Sequence, residues 1–144
     1  MTTEEVVLFF SNMQYWLLKT DPETYSWKNL VKEKRTEWTG VRNYEARNNM
    51  KKMSVGDLAL FYYSQKDPRI VAIVKIVAAA HEDSTDTTGI WWCVDIAPVR
   101  VLKNEVSLDA VKTISACKNM ALLKKSRLSV QPVTAKEWDA LVHI

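Results

Sequence analysis

The fold of this chain is indicated by residues 38–48, whose sequence is WTGVRNYEARN. Gly40 allows the chain to turn tightly, because glycine adopts backbone angles that other residues avoid. Asn43 then predicts a helix start, since its side-chain oxygen can accept a hydrogen bond from an amide of the first turn. Planar and cationic side chains surround this start, namely Trp38, Arg42 and Tyr44. Because helix N-termini favour anionic groups and aromatic rings stack on flat ligands, we predict a site for a flat, polar ligand such as a nucleobase.

The composition is that of an ordinary globular protein. A chain of 144 residues fits one domain with a sizeable core. Hydrophobic residues make up 47% and charged residues 26%, a balance that excludes a disordered chain. Six tryptophans are many for this length and favour a stacking site among them. The net charge of +3 permits contact with phosphates without by itself indicating it.

Cysteine usage and hydropathy exclude several classes of protein. Cys93 and Cys117 form no CxxC or Cys/His cluster, so we expect reduced thiols, no disulfide and no metal site. No apolar run approaches the ~20 residues of a membrane span. The apolar residues 6–10 are few and follow Glu4 and Glu5, which does not suit a signal peptide. We therefore expect a cytoplasmic protein without a membrane partner.

The sequence disfavours an enzyme. Neither His81 nor His143 adjoins a serine or cysteine nucleophile motif, and paired carboxylates and a glycine-rich phosphate loop are missing from the sequence. We therefore expect a non-enzymatic protein without a cofactor.

The pattern of apolar residues predicts an N-terminal extension at 1–12 and one domain at 13–144. Strands are predicted at 15–19, 58–63, 70–80, 90–101 and 128–133, the fourth with an edge or bulge near Pro98. Short helices are predicted at 27–34, at 44–53, after Ser107, and after the capping box that Thr134 opens. Residues 114–123 are ambiguous, and another helical turn is the favoured interpretation. This order predicts an α+β fold with a small curled sheet or pseudo-barrel.

Five motifs occur in a specific order along the chain: YWLLKTDP at 15–22, WTGVRNYEARN at 38–48, VGD at 55–57, FYYS at 61–64 and RLSVQPV at 127–133. Together they resemble the EVE domain family of the PUA-like superfamily, which includes the thymocyte nuclear protein group. The resemblance covers nearly everything from Gln14 to the C-terminus. Five motifs in order are a far more specific signal than any one of them.

The resemblance implies a PUA-like β pseudo-barrel of about five or six strands with short flanking helices. It also implies a pocket related to that of YTH domains. We expect this pocket to bind a modified base of DNA or RNA. We also expect the protein to be a monomer without a metal. The implied ligand-binding residues are Trp38, Arg42, Asn43, Tyr44, Tyr62, Tyr63, Ser64, Leu128, Ser129 and Gln131. This chain departs from the family at Tyr63, where the family commonly has histidine.

Structural roles compete with several of these assignments. Trp38 also suits a core tryptophan, and Asn43 also suits a plain helix cap. Tyr62 and Tyr63 alternate along a strand, so we expect only one of them to face the pocket. Candidates for phosphate contact are Arg47, Lys124, Lys125 and Arg127, although exposed basic runs are commonly just solvated.

A rival function is a protein-interaction module whose aromatic cage binds a methylated lysine or another small ligand by cation–π attraction. Acidic residues near the cage would favour this function. Arg42 and Arg47 disfavour it, because they repel a cationic ligand.

Overall fold

The computed structural model describes residues 13–144, and the predicted extension at 1–12 lies outside the described residues. The strands are β1 Tyr15–Thr20, β2 Thr36–Glu37, β3 Leu58–Tyr63, β4 Arg69–Glu82, β5 Trp92–Ser107 and β6 Val130–Val133. The helices are α1 Trp27–Glu33, α2 Tyr44–Lys51, α3 Leu108–Thr113, α4 Ala121–Lys124 and α5 Ala135–Val142, with a 3-10 turn at Ser115–Cys117 between α3 and α4. No helix of this part of the chain is long and apolar enough to cross a membrane.

The six strands form one mixed sheet in the order β2-β5-β4-β3-β1-β6. The pair β1–β3 is parallel, and every other neighbouring pair is antiparallel. The predicted α+β fold, with six strands and short helices, is confirmed. The sheet is not closed into a barrel, because its outer strands β2 and β6 do not pair with each other.

Apolar side chains cover both faces of the sheet, because successive residues of a strand point to opposite sides. Leu18 and Phe61 belong to one core, which α1 and α2 cover. Leu17 and Leu60 belong to the other core, which lies against α3, the 3-10 turn, α4 and α5. The central strands are therefore buried between two helical layers.

The predicted helix starts are confirmed. The Asn43 side chain accepts a hydrogen bond from the Ala46 amide at 2.9 Å and caps α2. Ser26 forms a capping box at the start of α1, and Thr134 forms one with Glu137 at the start of α5. These are local signals, which the sequence carries within three or four residues.

Strands β4 and β5 are longer than predicted, because they pair with each other along almost their whole length. Their ladder runs from Arg69 opposite Ser107 to Glu82 opposite Trp92 and contains four register shifts. Pro98 lies beside one of these shifts. It also lies past the end of the two-residue β2, so among the described strands only β4 pairs with β5 at this point. A residue without a backbone N–H is tolerated at such a place. Residues 114–123, left ambiguous by the sequence, form the 3-10 turn and the start of α4.

Candidate functional site

A cavity of about 600 Å³ opens beside the end of β1. Its walls come from residues 19–21, from Thr24 and Tyr25 in the following turn, from Glu33 at the end of α1, from residues 36–42, and from Ser129. Ligand pockets of proteins commonly measure roughly 300–1,000 Å³, so a single base or a small side chain fits this volume.

Three of the five sequence motifs meet at this cavity. Residues 19–21 end the motif at 15–22, Trp38 and Arg42 belong to the motif at 38–48, and Ser129 belongs to the motif at 127–133. Of the predicted ligand-binding residues, Trp38, Arg42 and Ser129 therefore line one cavity, although they lie far apart in the sequence.

Trp38 forms both a wall of the cavity and a part of the core. Its side chain is only 8% exposed. Its ring meets Phe61 at 5.8 Å between centroids and Tyr25 at 5.9 Å, both in edge-on contacts. Its amide donates to the Val94 carbonyl at 2.8 Å, which ties the segment after β2 to β5. The core role and the cavity role that the sequence left open therefore coexist in one residue.

Arg42 is held by a buried carboxylate. Its Nη1 lies 3.0 Å from Oδ2 of Asp83, whose side chain is fully buried. The Gly40 amide donates to the same oxygen at 2.8 Å, and Thr85 donates to the other oxygen. Burial raises the pKa of Asp83, but the hydrogen bonds from Thr85, Gly40 and Arg42 outweigh it and lower the pKa to about 2. The charge of Arg42 is thus largely compensated inside the protein.

Several charged residues of the cavity were not predicted from the sequence. Lys19 and Arg42 are basic, whereas Asp21, Glu33 and Glu37 are acidic, so acidic groups are in the majority. Lys19 donates to the Ser126 carbonyl at 2.8 Å, and burial lowers the pKa of its ammonium group. The acidic residues lie in turns and at element ends, where charged residues are common for reasons unrelated to ligands.

Tyr25 contributes a second aromatic ring to the cavity wall. Burial raises the pKa of its hydroxyl, so this group is neutral at physiological pH. The hydroxyl is buried beside the side chains of Thr36 and Glu33, although among residues 13–144 neither forms a hydrogen bond of good geometry with it.

Four predicted residues do not line the cavity and have structural contacts instead. The Asn43 side chain is occupied as the cap of α2. Tyr62 is buried in the core on the opposite face of the sheet. Tyr63 accepts a hydrogen bond from the Trp27 amide at 2.8 Å, at the start of α1. Ser64 donates through both its amide and its hydroxyl to the Thr20 carbonyl. Neither tyrosine of the FYYS motif lines the cavity.

Two further predicted residues are buried in the protein. Leu128 belongs to the core beneath α1 and α2. Gln131 is fully buried, and its amide group donates to the Leu128 carbonyl at 2.8 Å and to the Lys125 carbonyl at 3.3 Å. Gln131 therefore fixes the turn that carries Ser129, rather than lining the cavity itself.

Tyr44 lies on the surface, in a group of aromatic and cationic side chains that we name the aromatic ridge: Tyr44, Trp91, Trp92, Arg47 and Lys51. Tyr44 is 60% exposed, and its ring centre lies 4.9 Å from that of Trp91. Arg47 lies 4.9 Å from the Tyr44 ring, and Lys51 lies 4.6 Å from the Trp92 ring. Arg42 connects the ridge to the cavity, since it also lies 5.7 Å from the Trp91 ring.

The remaining phosphate-contact candidates lie on the surface near β6. Lys124, Lys125 and Arg127 are all exposed. Lys125 forms an ion pair with Glu45 at 2.5 Å. Lys124 and Lys125 also line a smaller cavity of about 330 Å³, separate from the one that contains Trp38.

The EVE domain family model matches residues 14–144. The chain belongs to the EVE domain family. Its relatives include thymocyte nuclear protein 1 of Gallus gallus, which is 35% identical over 90% of this chain and 68% of the relative. The human protein of the same name is 32% identical over 90% of this chain and 73% of its own length. These relatives, named for the nucleus, give no support to the predicted cytoplasmic location.

Solved structures share the fold of this EVE domain. An NMR structure of a Rhodopseudomonas palustris protein is 44% identical, with a TM-score of 0.86 over 91% of this chain and 92% of that one. The crystal structure of human THYN1 in complex with 5-methylcytosine-containing DNA is 33% identical, with a TM-score of 0.85 over 90% of this chain and 96% of that one.

A more distant likeness extends to the YTH fold. The YTH domain of Zygosaccharomyces rouxii MRB1, solved with N6-methyladenosine RNA, is 15% identical, with a TM-score of 0.57 over 92% of this chain and 86% of that one. At this identity the likeness concerns the fold alone. It agrees with the PUA-like architecture that the motifs implied.

Proposed function

We propose that this EVE domain binds a modified base of DNA or RNA in the cavity lined by Trp38, Arg42 and Ser129, and that it does so without catalysing a reaction. The observation that carries the proposal is the convergence of three family motifs on one cavity of suitable size. The complex of the related human protein with 5-methylcytosine DNA supports the same class of ligand.

Trp38 supplies the stacking surface in this proposal. Stacking of a base on an aromatic side chain contributes on the order of 1–3 kcal/mol. A methyl group buried against an apolar part of the wall adds roughly 0.8 kcal/mol. Selectivity for one base then depends on polar groups at the wall, since a base that leaves such groups unpaired is bound more weakly.

The acidic residues of the cavity favour a base that carries an exocyclic amino group. Carboxylates accept hydrogen bonds from the amino group of cytosine, and adenine carries a similar donor. Asp21, Glu33 and Glu37 supply carboxylates at the wall. We therefore expect modified cytosine or adenine to bind more tightly than modified uracil or thymine.

The aromatic ridge suits the nucleotides that flank the bound base. Tyr44 offers an exposed ring for stacking, and Arg47 and Lys51 offer positive charge beside it. Lys124, Lys125 and Arg127 are further candidates for phosphate contact. A base must leave the duplex to enter a cavity, so we expect single-stranded nucleic acid to bind more tightly than a duplex.

A variant that fills the cavity tests the proposal without removing a core residue. Ser129→Trp places a large ring in the cavity wall, whereas Ser126→Trp places the same ring on an exposed residue outside the lining. Fluorescence anisotropy with oligonucleotides that differ only in one methyl group measures both affinity and selectivity.

We expect the wild-type protein and Ser126→Trp to prefer the modified oligonucleotide. Ser129→Trp is expected to lose that preference, with affinity reduced about tenfold or more, which corresponds to the roughly 1–3 kcal/mol of one stacked base. A wild type that does not distinguish any modified base from its unmodified form contradicts base recognition. Equal binding by Ser129→Trp and Ser126→Trp contradicts this cavity as the site.

The methylated-lysine function is the second candidate, and one observation favours it. Asp21, Glu33 and Glu37 line the cavity beside Trp38 and Tyr25, and acidic groups beside aromatic rings attract cations. Titration of a trimethyllysine peptide and its unmethylated form into the same two tryptophan variants distinguishes the candidates. Selective binding of the trimethylated peptide, with no selectivity among oligonucleotides, replaces the base-binding proposal.

A further inference from the structure

A second group of polar side chains lies beside the cavity, where β2, β4 and β5 meet. It consists of Glu37, His81, Cys93 and Asp95, and one ligand atom from each lies within 4.8 Å of the others. Glu37 also lines the cavity, whereas the other three are not lining residues. Thiolate, imidazole and carboxylate groups are the ligands that bind zinc and neighbouring transition metals.

The pairing of the strands holds these four side chains together. His81 lies opposite Cys93 in the β4–β5 ladder, and Glu37 lies opposite Asp95 in the β2–β5 ladder. Cys93 and Asp95 are two residues apart on β5 and therefore share a face. Ligands on paired strands are positioned before any ion arrives, and sites on strands are better defined than sites on loops.

Three of the four side chains are also anchored by a hydrogen bond at one of their two polar atoms. The anchoring partners are the Glu82 carbonyl, 3.1 Å from Nδ1 of His81, the Arg35 guanidinium, 2.9 Å from Oδ2 of Asp95, and the Ser84 hydroxyl, 2.8 Å from Oε2 of Glu37. Metal-binding histidines and carboxylates characteristically have such outer hydrogen bonds, which orient them. The inner atoms are then His81 Nε2, Asp95 Oδ1, Glu37 Oε1 and Cys93 Sγ.

We propose that Glu37, His81, Cys93 and Asp95 bind one divalent transition-metal ion, with Zn²⁺ as the preferred ion. Sγ of Cys93 lies 3.7 Å from Nε2 of His81 and also 3.7 Å from Nδ1, so the ring has to turn slightly for Nε2 alone to share an ion with the sulfur. Two such atoms bound to one tetrahedral zinc ion stand about 3.5 Å apart, given the usual zinc–sulfur and zinc–nitrogen distances. Nε2 of His81 lies 2.7 Å from Oδ1 of Asp95, a hydrogen-bond distance that opens when the ion replaces the proton between them.

Protons occupy the group when no ion is bound. Both ring nitrogens of His81 lie within hydrogen-bond distance of oxygen atoms, and the hydrogen bond to Asp95 raises the pKa of the ring, which favours the imidazolium form. Burial, followed by the carboxylates of Glu37, Asp83 and Asp95, raises the pKa of the Cys93 thiol to about 12. Such a thiol is not an activated nucleophile, because the thiolate is the reactive form.

Binding of Zn²⁺ displaces the proton of Cys93 Sγ, together with any proton on His81 Nε2, into solution. The thiolate and the two carboxylates then balance the charges of the ion and of the adjacent Arg35. A metal-bound thiol is deprotonated outright, so the high pKa of the free thiol does not prevent ligation.

The chain provides matched controls, because it has two cysteines and two histidines. Tag-free protein is first stripped of metal with a strong chelator, which is then removed. Zn²⁺ is titrated into this protein in the presence of a weaker chromogenic chelator, whose colour reports how much of the ion the protein has bound. We expect the wild type, Cys117→Ser and His143→Gln to bind one ion with similar affinity. Cys93→Ser and His81→Gln are expected to bind the ion about tenfold more weakly or worse. Loss of a residue that only orients a metal ligand already lowers affinity by about tenfold, and loss of the ligand itself should cost at least as much.

Co²⁺ supplies a second readout that reports the sulfur ligand directly. A thiolate-to-Co²⁺ charge-transfer absorption is expected for the wild type and Cys117→Ser, and it is expected to be missing for Cys93→Ser. Circular dichroism establishes that each variant is folded, and Asp95→Asn replaces Cys93→Ser in the titration if the serine variant unfolds.

A wild type that binds no ion overturns the proposal, as does an ion that all variants bind equally well. Either result leaves the group as an ion-pair cluster that holds protons. The titration contains no nucleic acid, so its outcome does not depend on the base-binding proposal.

Discussion

Arg42 and Asp83 form an ion pair between the cavity wall and the segment that follows β4, with 3.0 Å between Nη1 and Oδ2. The same carboxylate accepts the Gly40 amide. Gly40 has a φ of +84°, in the left-handed region that side chains disfavour. One buried carboxylate thus fixes both the loop geometry and the direction of the arginine.

Asp83→Asn is expected to lower the free energy of unfolding at neutral pH by about 2 kcal/mol, because a fall in pKa from 3.8 to about 2 represents stabilisation of the charged form. A lowered pKa stabilises the fold above the unfolded-state pKa, and this contribution is lost as pH falls from about 4 towards 2. Urea unfolding at several pH values measures both effects. Asp109→Asn, at a side chain that is 95% exposed, is the control, and an equal loss in both variants contradicts the prediction.

Tyr63→Phe is expected to destabilise the protein by about 1 kcal/mol, because the Trp27 amide at the start of α1 loses its acceptor. Tyr62→Phe is the matched control, since among the described residues the Tyr62 hydroxyl has no comparable backbone partner. Urea unfolding of the two variants gives the comparison. Similar values for both would mean that the hydroxyl of Tyr63 contributes nothing specific.

Asn43→Ala is expected to cost about 1 kcal/mol of stability through loss of the α2 cap, and Asn43→Ser is expected to restore most of it. Neither change is expected to alter oligonucleotide affinity under conditions where the protein is fully folded, because Asn43 does not line the cavity. Anisotropy measurements on both variants test this. Weaker binding by the well-folded serine variant would instead assign Asn43 a contact with the ligand.

Trp38→Ala is expected to reduce stability by roughly 3–5 kcal/mol as well as binding, since the ring is almost fully buried. Trp138→Ala removes a similarly buried ring on the opposite face of the sheet. Thermal unfolding is expected to rank the two variants close together, whereas affinity for a modified oligonucleotide, measured in the cold, is expected to fall only for Trp38→Ala. Equal loss of affinity in both would reduce the role of Trp38 to packing.

The salt dependence of binding tests the basic residues near β6, and the variant replaces Lys124, Lys125 and Arg127 by glutamine. The slope of log affinity against log salt concentration is expected to become shallower by about one unit for each phosphate that the variant no longer neutralises. Lys125 is expected to contribute least, because it is already paired with Glu45. The triple change Lys103→Gln, Lys112→Gln and Lys118→Gln removes the same charge elsewhere. A slope that is unchanged, or one that changes equally in both triples, contradicts a local role of the three residues near β6.

Local signals explain what could be predicted of the fold. Asn43 and Thr134 indicate helix starts through hydrogen bonds that span only three residues, and these are present. The family motifs also predict a shared site for Trp38 and Ser129, and both residues line the larger cavity. The family resemblance itself is confirmed by the match over residues 14–144.

Long-range pairing explains what the sequence could not predict. Side chains alternate along a strand, so the sequence predicts that Tyr62 and Tyr63 lie on opposite faces of the sheet. Which of the two faces bears the cavity depends on the whole sheet and on the register shift between Phe61 and Tyr62. Arg42 meets Asp83 only because the folded chain brings together segments 41 residues apart. The sequence predicted no metal site, whereas we propose one from the structure. The proposed ligands come from three strands and form no local motif, so the sequence alone could not indicate them.

The position of β1 within the sheet has a consequence for the order in which the protein can assemble during synthesis. Tyr15 pairs with Leu58 on one side and with Val133 on the other. At translation rates of roughly 5–20 residues per second, β1 waits about 6–24 s for its last neighbour. Leu17, fully buried in the finished fold, belongs to a core that includes Val133 and Trp138, so its burial is completed only when the C-terminal segment arrives. The nascent chain therefore presents an apolar strand early, and we expect it to depend on chaperones more than its small size suggests.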